Sequence, residues 1–541
     1  MKKFKDPVYG YIEIKDEIVH KIIDAPEFQR LRYIRQTSYL PVYPASLHNR
    51  FVHSLGVYYL GCRTLKAINH SMIIGNIDIN ETIKEEMGHV FTLACLLHDV
   101  GHAPFSHSGE LFYISDDKVL QDDLIDTVKN NQFKEEANEY RKIGQQAAPH
   151  EIMSAIVGLK CFEDLFKSEE EKSLFARCIT GYKYNNKDNN PQISYYNILI
   201  SLLNSFTIDM DRLDYIMRDA FVMGYNSISI DYNRLIDSIM IYQDADGHLN
   251  LAYNKSALSI IENVIYAHDS EKKWVQNHPA IIYETFLVQQ IIKEVADFYK
   301  VKTEKELFTI DSLLPSKNAH TGEQNDKIFP SVSLLCDDDI IYLAKYLDSP
   351  FCQELFSRNS RRHPIWKSES EYRVIVDNYI GKEGYNDLIC QIETLDNFLK
   401  KESTSHLIDE ESMTLCQNKL KECADLDDLN KENMRNRYNL LLRWFNCFKS
   451  IAEKQHLKFD FAIIQASNFS SSFAKNDLRE IQIYFPRHNR TYKLGDLIEL
   501  LSFKKNPREK FFYIYYHDNG QDDLSLDIRF VGKEIAKNIL N

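Results

Sequence analysis

Leu96-Leu-His-Asp-Val-Gly-His-Ala-Pro-Phe-Ser-His107 closes an apolar run, Phe91-Thr-Leu-Ala-Cys-Leu-Leu97, that reads as a buried central helix. Gly101 and Pro104 end that helix directly after the His98-Asp99 doublet, so the doublet sits at a helix end facing an opening. Adjacent helical side chains diverge, and two neighbours ligate one ion only at such an end. Upstream, Arg50-Phe-Val-His-Ser-Leu-Gly56 offers His53; downstream, Asp209-Met-Asp-Arg-Leu-Asp-Tyr215 offers Asp211. His53, His98, Asp99 and Asp211 supply nitrogen and oxygen donors with no thiolate among them. That set suits a hard to borderline divalent metal: Fe, Mn or Zn at the site, with Mg on substrate phosphates.

Helix geometry selects among the three aspartates of the downstream word. Residues 211, 215 and 218–219 share one face, while Ile208, Leu213 and Ile216 form the apolar one. Asp211 therefore lines a pocket with Arg212, Tyr215 and Asp219. Asp209 and Asp214 are expected elsewhere, capping the helix or pairing with Arg218. Arg50, His102, His107, His150 and Arg212 gather cationic donors around the expected metal. Such donors are what a departing phosphate group demands as it gains charge, so the words point to a metal-dependent phosphohydrolase.

With 541 residues, 44% hydrophobic and 27% charged, the chain has room for a large core and more than one domain. Its formal charge of −14 argues against nucleic acid as a partner held on a generally basic surface. Ten cysteines without paired CxxC spacing read as reduced, mostly buried thiols of a cytoplasmic protein. Met1-Lys-Lys-Phe-Lys-Asp-Pro7 lacks the apolar core of a signal peptide, and no apolar run is long enough to span a membrane.

The expected fold class is mainly α, a helical catalytic core with an α+β C-terminal lobe. Residues 1–300 are assigned to the core, 301–331 to a polar linker or surface insertion, and 332–541 to a regulatory or oligomerisation lobe. Ile22 to Ile34 reads as one amphipathic helix, 115–149 as an exposed polar excursion, and Ile198 to Met223 as one long helix. Phe459-Asp-Phe-Ala-Ile-Ile, Glu480-Ile-Gln-Ile-Tyr-Phe and Phe511-Phe-Tyr-Ile-Tyr-Tyr read as strands.

The H…HD…D pattern resembles the HD superfamily. Lys3-Phe-Lys-Asp-Pro-Val-Tyr-Gly10, Ile23-Asp-Ala-Pro-Glu-Phe-Gln-Arg-Leu-Arg-Tyr-Ile-Arg-Gln36 and His48-Asn-Arg-Phe-Val-His-Ser-Leu-Gly-Val57 narrow it further. They are similar to the deoxynucleoside triphosphate triphosphohydrolases. The closest type is the sterile-alpha-motif-and-HD-domain enzyme, here with no sterile alpha motif domain ahead of the core. The resemblance implies cleavage of a dNTP at the α-phosphate, with His53, His98, Asp99 and Asp211 as metal ligands. It implies His150 for proton transfer, and Arg50, His102, His107, Arg212 and Tyr215 for gripping the triphosphate or assisting catalysis. Gln36 and Asp219 match the readers of the sugar 3′-hydroxyl, and Gln276 a further substrate contact. Arg212 stands where the family often has Lys, and Val275 where it has Tyr.

A nucleotide activator and a homo-oligomer, a tetramer in the family, are implied as well. Asp24, Gln29 and Arg32 match guanine-reading residues, with Lys2 and Lys3 beside them. On a regular helix those three would not share a face, so only the resemblance joins them. The rival readings are an HD phosphodiesterase or nuclease, which needs an open basic groove, and a nucleotide-sensing effector that binds without cutting.

Overall fold

The computed structural model describes the chain except residues 75–76, 78, 114–116, 206, 226–228, 245–247, 316–331, 382–383, 424–428, 467–474, 489, 499–510, 518–525 and 541. The protein is mainly α, with three small sheets among the described residues. Two compact units divide it: Met1–Glu271 with Val288–Leu347 and Ser471–Lys504, and Lys272–Leu287 with Asp348–Ser470 and Lys505–Asn541.

The first unit opens with an antiparallel hairpin, β1 (Lys2–Asp6) and β2 (Gly10–Ile14). Helix α1 (Arg50–Ile74) packs on α2 (Glu81–Leu97), whose first turn is capped by Asn80. As expected of a central helix, Val90 to Leu97 are all buried. Helices α3 (Asp117–Val128), α4 (Asn131–Lys142), α5 (Pro149–Cys161) and α6 (Glu169–Thr180) follow, then α7 (Pro191–Leu203) and α8 (Met210–Met223). Strands β3 (Ile239–Gln243) and β4 (Leu249–Asn254) lead to α9 (Leu258–Glu271). The sheet is completed from far along the chain by β5 (Gln482–Phe485) and β6 (Arg490–Lys493), with β5 parallel to β4.

Several expectations change. Within the expected 115–149 excursion, residues 117–142 instead form α3 and α4, and Leu124, Val128, Phe133 and Ala137 are wholly buried. The long helix expected over Ile198–Met223 breaks after Leu203. Asn204 turns its amide to Ile179 O, and Asp209 caps the restart by accepting from Arg212 N. Residues 22–34 are not one helix but a π turn (Val19–Ile23), a short α-helix (Pro26–Gln29) and a 3-10 turn (Arg30–Tyr33). Within the expected linker, a short helix (Ile310–Leu313) follows buried Leu307 and Phe308, and residues 316–331 lie outside the described ones. The two units also cut the sequence differently from the expected 1–300, 301–331 and 332–541, because β5 and β6 pair back into the first unit's sheet.

The second unit holds an antiparallel sheet of His363–Pro364, Phe511–Tyr516, Asp460–Ala466 and Ile408–Asp409. The long helix Leu429–Gln455 buries Trp444, Phe445 and Phe448 in the same unit.

Candidate active site

Three helices of the first unit bring the expected ligands together. His53 comes from the start of α1, His98 from the cap position after α2, and Asp211 from the first turn of α8. Their ligand atoms lie within 4.8 Å of one another. His53 Nε2 stands 2.9 Å from Asp211 Oδ1 and 3.2 Å from His98 Nε2. Asp99 borders the cluster, its oxygens 3.6 Å from His53 Nε2 and 3.5 Å from His98 Nε2.

The tautomers show what this arrangement wants. His98 Nδ1 lies 3.0 Å from Cys95 O, an acceptor only, so Nδ1 donates and Nε2 keeps its lone pair. His53 Nδ1 donates in the same way to Asp214 Oδ2 at 2.7 Å. Two lone pairs and a carboxylate then face one point, a set that a divalent cation satisfies. Without an ion the local field favours a proton on His53 Nε2, which an entering cation must displace. Burial opposes charge on His53, yet hydrogen bonds to Asp211 and Asp214 lift its imidazole to about 10. Burial likewise opposes ionisation of Asp99, but Arg50 and the imidazoles bring it down to about 2. Arg50 donates to Asp99 Oδ2 at 2.8 Å and to Ser106 Oγ at 2.9 Å.

Beside the cluster, His102, His107 and His150 bring ring nitrogens within 4.8 Å of one another. His102 is fully buried and stacks on His150 at 4.3 Å. Burial first, then Arg50 and His150, push its imidazole well below the ordinary range, so it is neutral. Neither of its ring nitrogens has a hydrogen-bond partner among the described residues. His150 goes the other way. Burial lowers it, but a hydrogen bond from Nδ1 to Glu110 and that carboxylate's charge raise it above the usual histidine value. Glu110 also meets His107 Nδ1 at 3.1 Å, and these contacts outweigh its burial to hold the carboxyl well below its ordinary value.

His98, His107, His150, Asp211, Arg212 and Tyr215 line a cavity of about 250 Å³, joined by Glu151, Asn204 and Asp209. Arg212 is steadied through Nη1 by Ser205 O and Thr207 O, both at 2.7 Å. Arg50, His102, Gln36 and Asp219 are buried and do not line it. Asp219 meets His48 Nε2 at 2.6 Å, while Gln36 Oε1 has no partner among the described residues. Gln276 belongs to the second unit.

At the N-terminus, Lys2 pairs with Asp24 at 3.6 Å. Arg32 donates to Gln29 Oε1 at 2.8 Å, and Gln29 donates to Ile23 O at 2.6 Å. The change of helix type across 19–33 thus links Gln29 and Arg32 to the turn that carries Asp24. Lys3 instead pairs with Glu13 across the hairpin at 2.6 Å. Asp209 caps and Asp214 pairs with Arg218, as expected, but neither lies away from the site: Asp209 also lines the cavity and Asp214 holds His53. Glu110, His48 and the contact of Asp214 with His53 went unread, for none lies within a local motif.

Residues 50–180, which carry His53 and His98 of this helix-end His-His-Asp cluster, match the HD domain family. Within that class the similarity to the deoxynucleoside triphosphate triphosphohydrolases holds over much of the chain. The chain is 25% identical over 367 residues to the deoxynucleoside triphosphate triphosphohydrolase SAMHD1 of Danio rerio, covering 66% of this chain and 55% of that one. It is 30% identical over 311 residues to SAMHD1 of Homo sapiens, covering 55% and 45%, and 27% identical over 281 residues to the uncharacterized protein YwfO of Bacillus subtilis, covering 51% and 52%. The chain thus spans about half the length of the curated relatives it matches. Among solved structures, a hypothetical protein from Aquifex aeolicus shares the fold with a TM-score of 0.53 at 17% identity, covering 99% of both chains. A phosphohydrolase from Bacteroides thetaiotaomicron does so with a TM-score of 0.52 at 18% identity, covering 96% of this chain and 99% of that one.

The ten cysteines are all free thiols. No helix among the described residues is long and apolar enough to cross a membrane.

Proposed function

We propose that this protein hydrolyses deoxynucleoside triphosphates to the deoxynucleoside and inorganic triphosphate. The observation that carries the reading is one small cavity in which His98 and Asp211 meet His150, Arg212 and Tyr215. A divalent ion held by His53, His98 and Asp211, with Asp99 beside them, supplies Lewis-acid polarisation of a phosphoryl oxygen when bound. The chain's own groups do the rest. Arg212, anchored on two carbonyls, brings a cation to the cavity wall for phosphate oxygens. A water oxygen bonds to the α-phosphorus and loses a proton to solvent as the P–O5′ bond breaks; His150, which holds a proton against Glu110, delivers one from Nε2 to the departing 5′-oxygen, while neutral His102 stacked beneath it adds no repelling charge. Gln36 Oε1, a buried acceptor with no donor among the described residues, suits the sugar 3′-hydroxyl, as does Asp219, held by His48.

Lys2, Lys3, Asp24, Gln29 and Arg32 are read as a guanine-nucleotide activator site whose occupation favours a homo-tetramer. Incubating the metal-loaded protein with each dNTP and assaying free triphosphate tests the activity directly. Release of pyrophosphate, or cleavage of nucleic acid or a cyclic nucleotide instead, overturns it in favour of another HD phosphohydrolase. Tight dNTP binding without turnover favours a sensor.

A further inference from the structure

We infer that Asp214 is the positioning residue for the metal ligand His53, and that the N-terminal hairpin holds Asp214 in place through Asp6 and Tyr9. Seating of β1–β2 and metal affinity are therefore linked. This rests on the metal reading of His53, His98 and Asp211.

Asp214 is fully buried, and both oxygens are committed. Oδ2 accepts from His53 Nδ1 at 2.7 Å and from Arg218 Nε at 2.9 Å. Oδ1 accepts from Tyr9 OH at 2.6 Å and from Arg218 Nη2 at 3.0 Å. The remaining arm of Arg218, Nη1, reaches Asp6 Oδ2 at 2.8 Å. Asp6 is tied to its own turn by accepting from Val8 N at 2.8 Å and Tyr9 N at 3.0 Å. Helix α8 thus provides one ligand, Asp211, and, one turn on, the partner of another.

Gly56 shows how closely this is fitted. A Cβ there would lie 1.9 Å from Asp214 Oδ1 and 2.4 Å from Arg218 Nη2, so only glycine lets the pair sit against the helix that carries His53. A carboxylate on Nδ1 fixes the tautomer, aims Nε2 and strengthens it as a ligand. Because linkage is reciprocal, a hairpin that supports Asp214 must itself be held more firmly when the metal is bound. Lys2 opens the same hairpin and pairs with Asp24, so a ligand at that end acts on the same lever.

The test is chelator-competition titration of Mn(II) into the metal-free full chain, in wild type, Asp214→Asn, Tyr9→Phe and Asp6→Asn. Hydrogen exchange of residues 2–14 is followed with and without Mn(II), with the β3–β4 hairpin as control. Asp214→Asn should weaken Mn(II) binding by roughly 10- to 100-fold. Tyr9→Phe, which removes one hydroxyl and keeps the ring, should weaken it by about 3- to 10-fold, as loss of one hydrogen bond does. In wild type, Mn(II) should slow exchange in residues 2–14 and leave the control unchanged. A merely structural role would lower stability without moving either readout. Should Asp214→Asn fail to fold, Tyr9→Phe and the wild-type exchange decide the matter. Unchanged affinity in folded Tyr9→Phe and Asp6→Asn, with hairpin exchange indifferent to Mn(II), overturns the inference alone. A wild type that takes up no metal overturns the metal reading and this inference together.

Discussion

Replacing Glu110 by Gln isolates the charge that keeps a proton on His150. The carboxylate takes the Nδ1 proton of His150 on one oxygen and meets His107 with the other. Glutamine preserves shape and can still accept, but the counter-charge is gone. A hydrogen bond to a charged partner contributes about 1.5–3 kcal/mol and a neutral one about 0.5–1.5 kcal/mol, so the change costs the imidazolium about 1–1.5 kcal/mol. At about 1.36 kcal/mol per pKa unit, His150 should titrate roughly one unit lower in the variant. Glu151 and Asp99 also raise His150, which keeps the fall from being larger. Since the folded-state value lies above the ordinary one, the proton's contribution to stability is full below the unfolded value and fades as pH rises through the folded one. The basic limb of kcat/KM for dNTP hydrolysis should therefore move about one pH unit lower in Glu110→Gln. The pH-dependent gain in stability toward acid should shrink in step. Paired assays are initial rates from pH 5.5 to 9 and NMR titration of the His150 ring. A folded Glu110→Gln enzyme whose limb and ring titration match wild type would refute the proton assignment.

Exchanging His98 and Asp99 together for Ala should abolish bound metal by elemental analysis while circular dichroism shows retained helix. Gly101→Ala should lower the melting temperature, because its Cβ would stand 2.3 Å from Ser154 N and 2.4 Å from Met153 C. Forcing those backbones apart costs about 1–3 kcal/mol or more, and calorimetry should register it. A 2′,3′-dideoxy substrate should be cut more slowly than its parent by roughly 5- to 150-fold, the effect of about 1–3 kcal/mol for a buried group left unpaired. Gln36→Leu should narrow that gap. GTP or dGTP should shift sedimentation toward a tetramer and accelerate turnover of a second dNTP, and Arg32→Ala should remove both effects.

The candidate metal ligands were legible because each lies in a short word whose local structure is announced by its neighbours. Gly101 and Pro104 mark the helix end at which His98 and Asp99 stand, and the spacing within 208–219 sorts Asp211 from Asp209. Glu110, Asp214 and His48 carry no such mark. Their partners are His150 at 40 residues, His53 at 161 and Asp219 at 171, and a lone acid or histidine in sequence does not reveal a partner that distant. The polar stretches 115–149 and 301–331 were misread in part for a different cause, an inference from polarity alone. In α4 the buried side chains are Phe133, Glu136 and Ala137, a stripe at i, i+3 and i+4 too narrow to stand out in a polar stretch, yet enough to bind a helix to its neighbours.

Periodicity also presumes one helix type, and the N-terminal region shows what that presumption hides. On a regular helix Asp24, Gln29 and Arg32 would not all share one face, and Arg32 reads as a surface charge. The π turn over Val19–Ile23 ends at Asp24, and the 3-10 turn over Arg30–Tyr33 winds more tightly. Gln29 spans the two, donating to Ile23 O and accepting from Arg32. The Arg32 guanidinium carbon stands 3.5 Å from the centroid of the Phe51 ring, on the helix that carries His53 two residues later. A mixed helix therefore places a candidate nucleotide reader against the element that holds a metal ligand, while Lys2 ties the same turn to the hairpin supporting Asp214. If the guanine reading is right, a nucleotide there meets α1 directly and the hairpin indirectly. Arg32→Ala should then alter the response to GTP without changing Mn(II) affinity in the absence of nucleotide, whereas Tyr9→Phe should change that affinity with or without it.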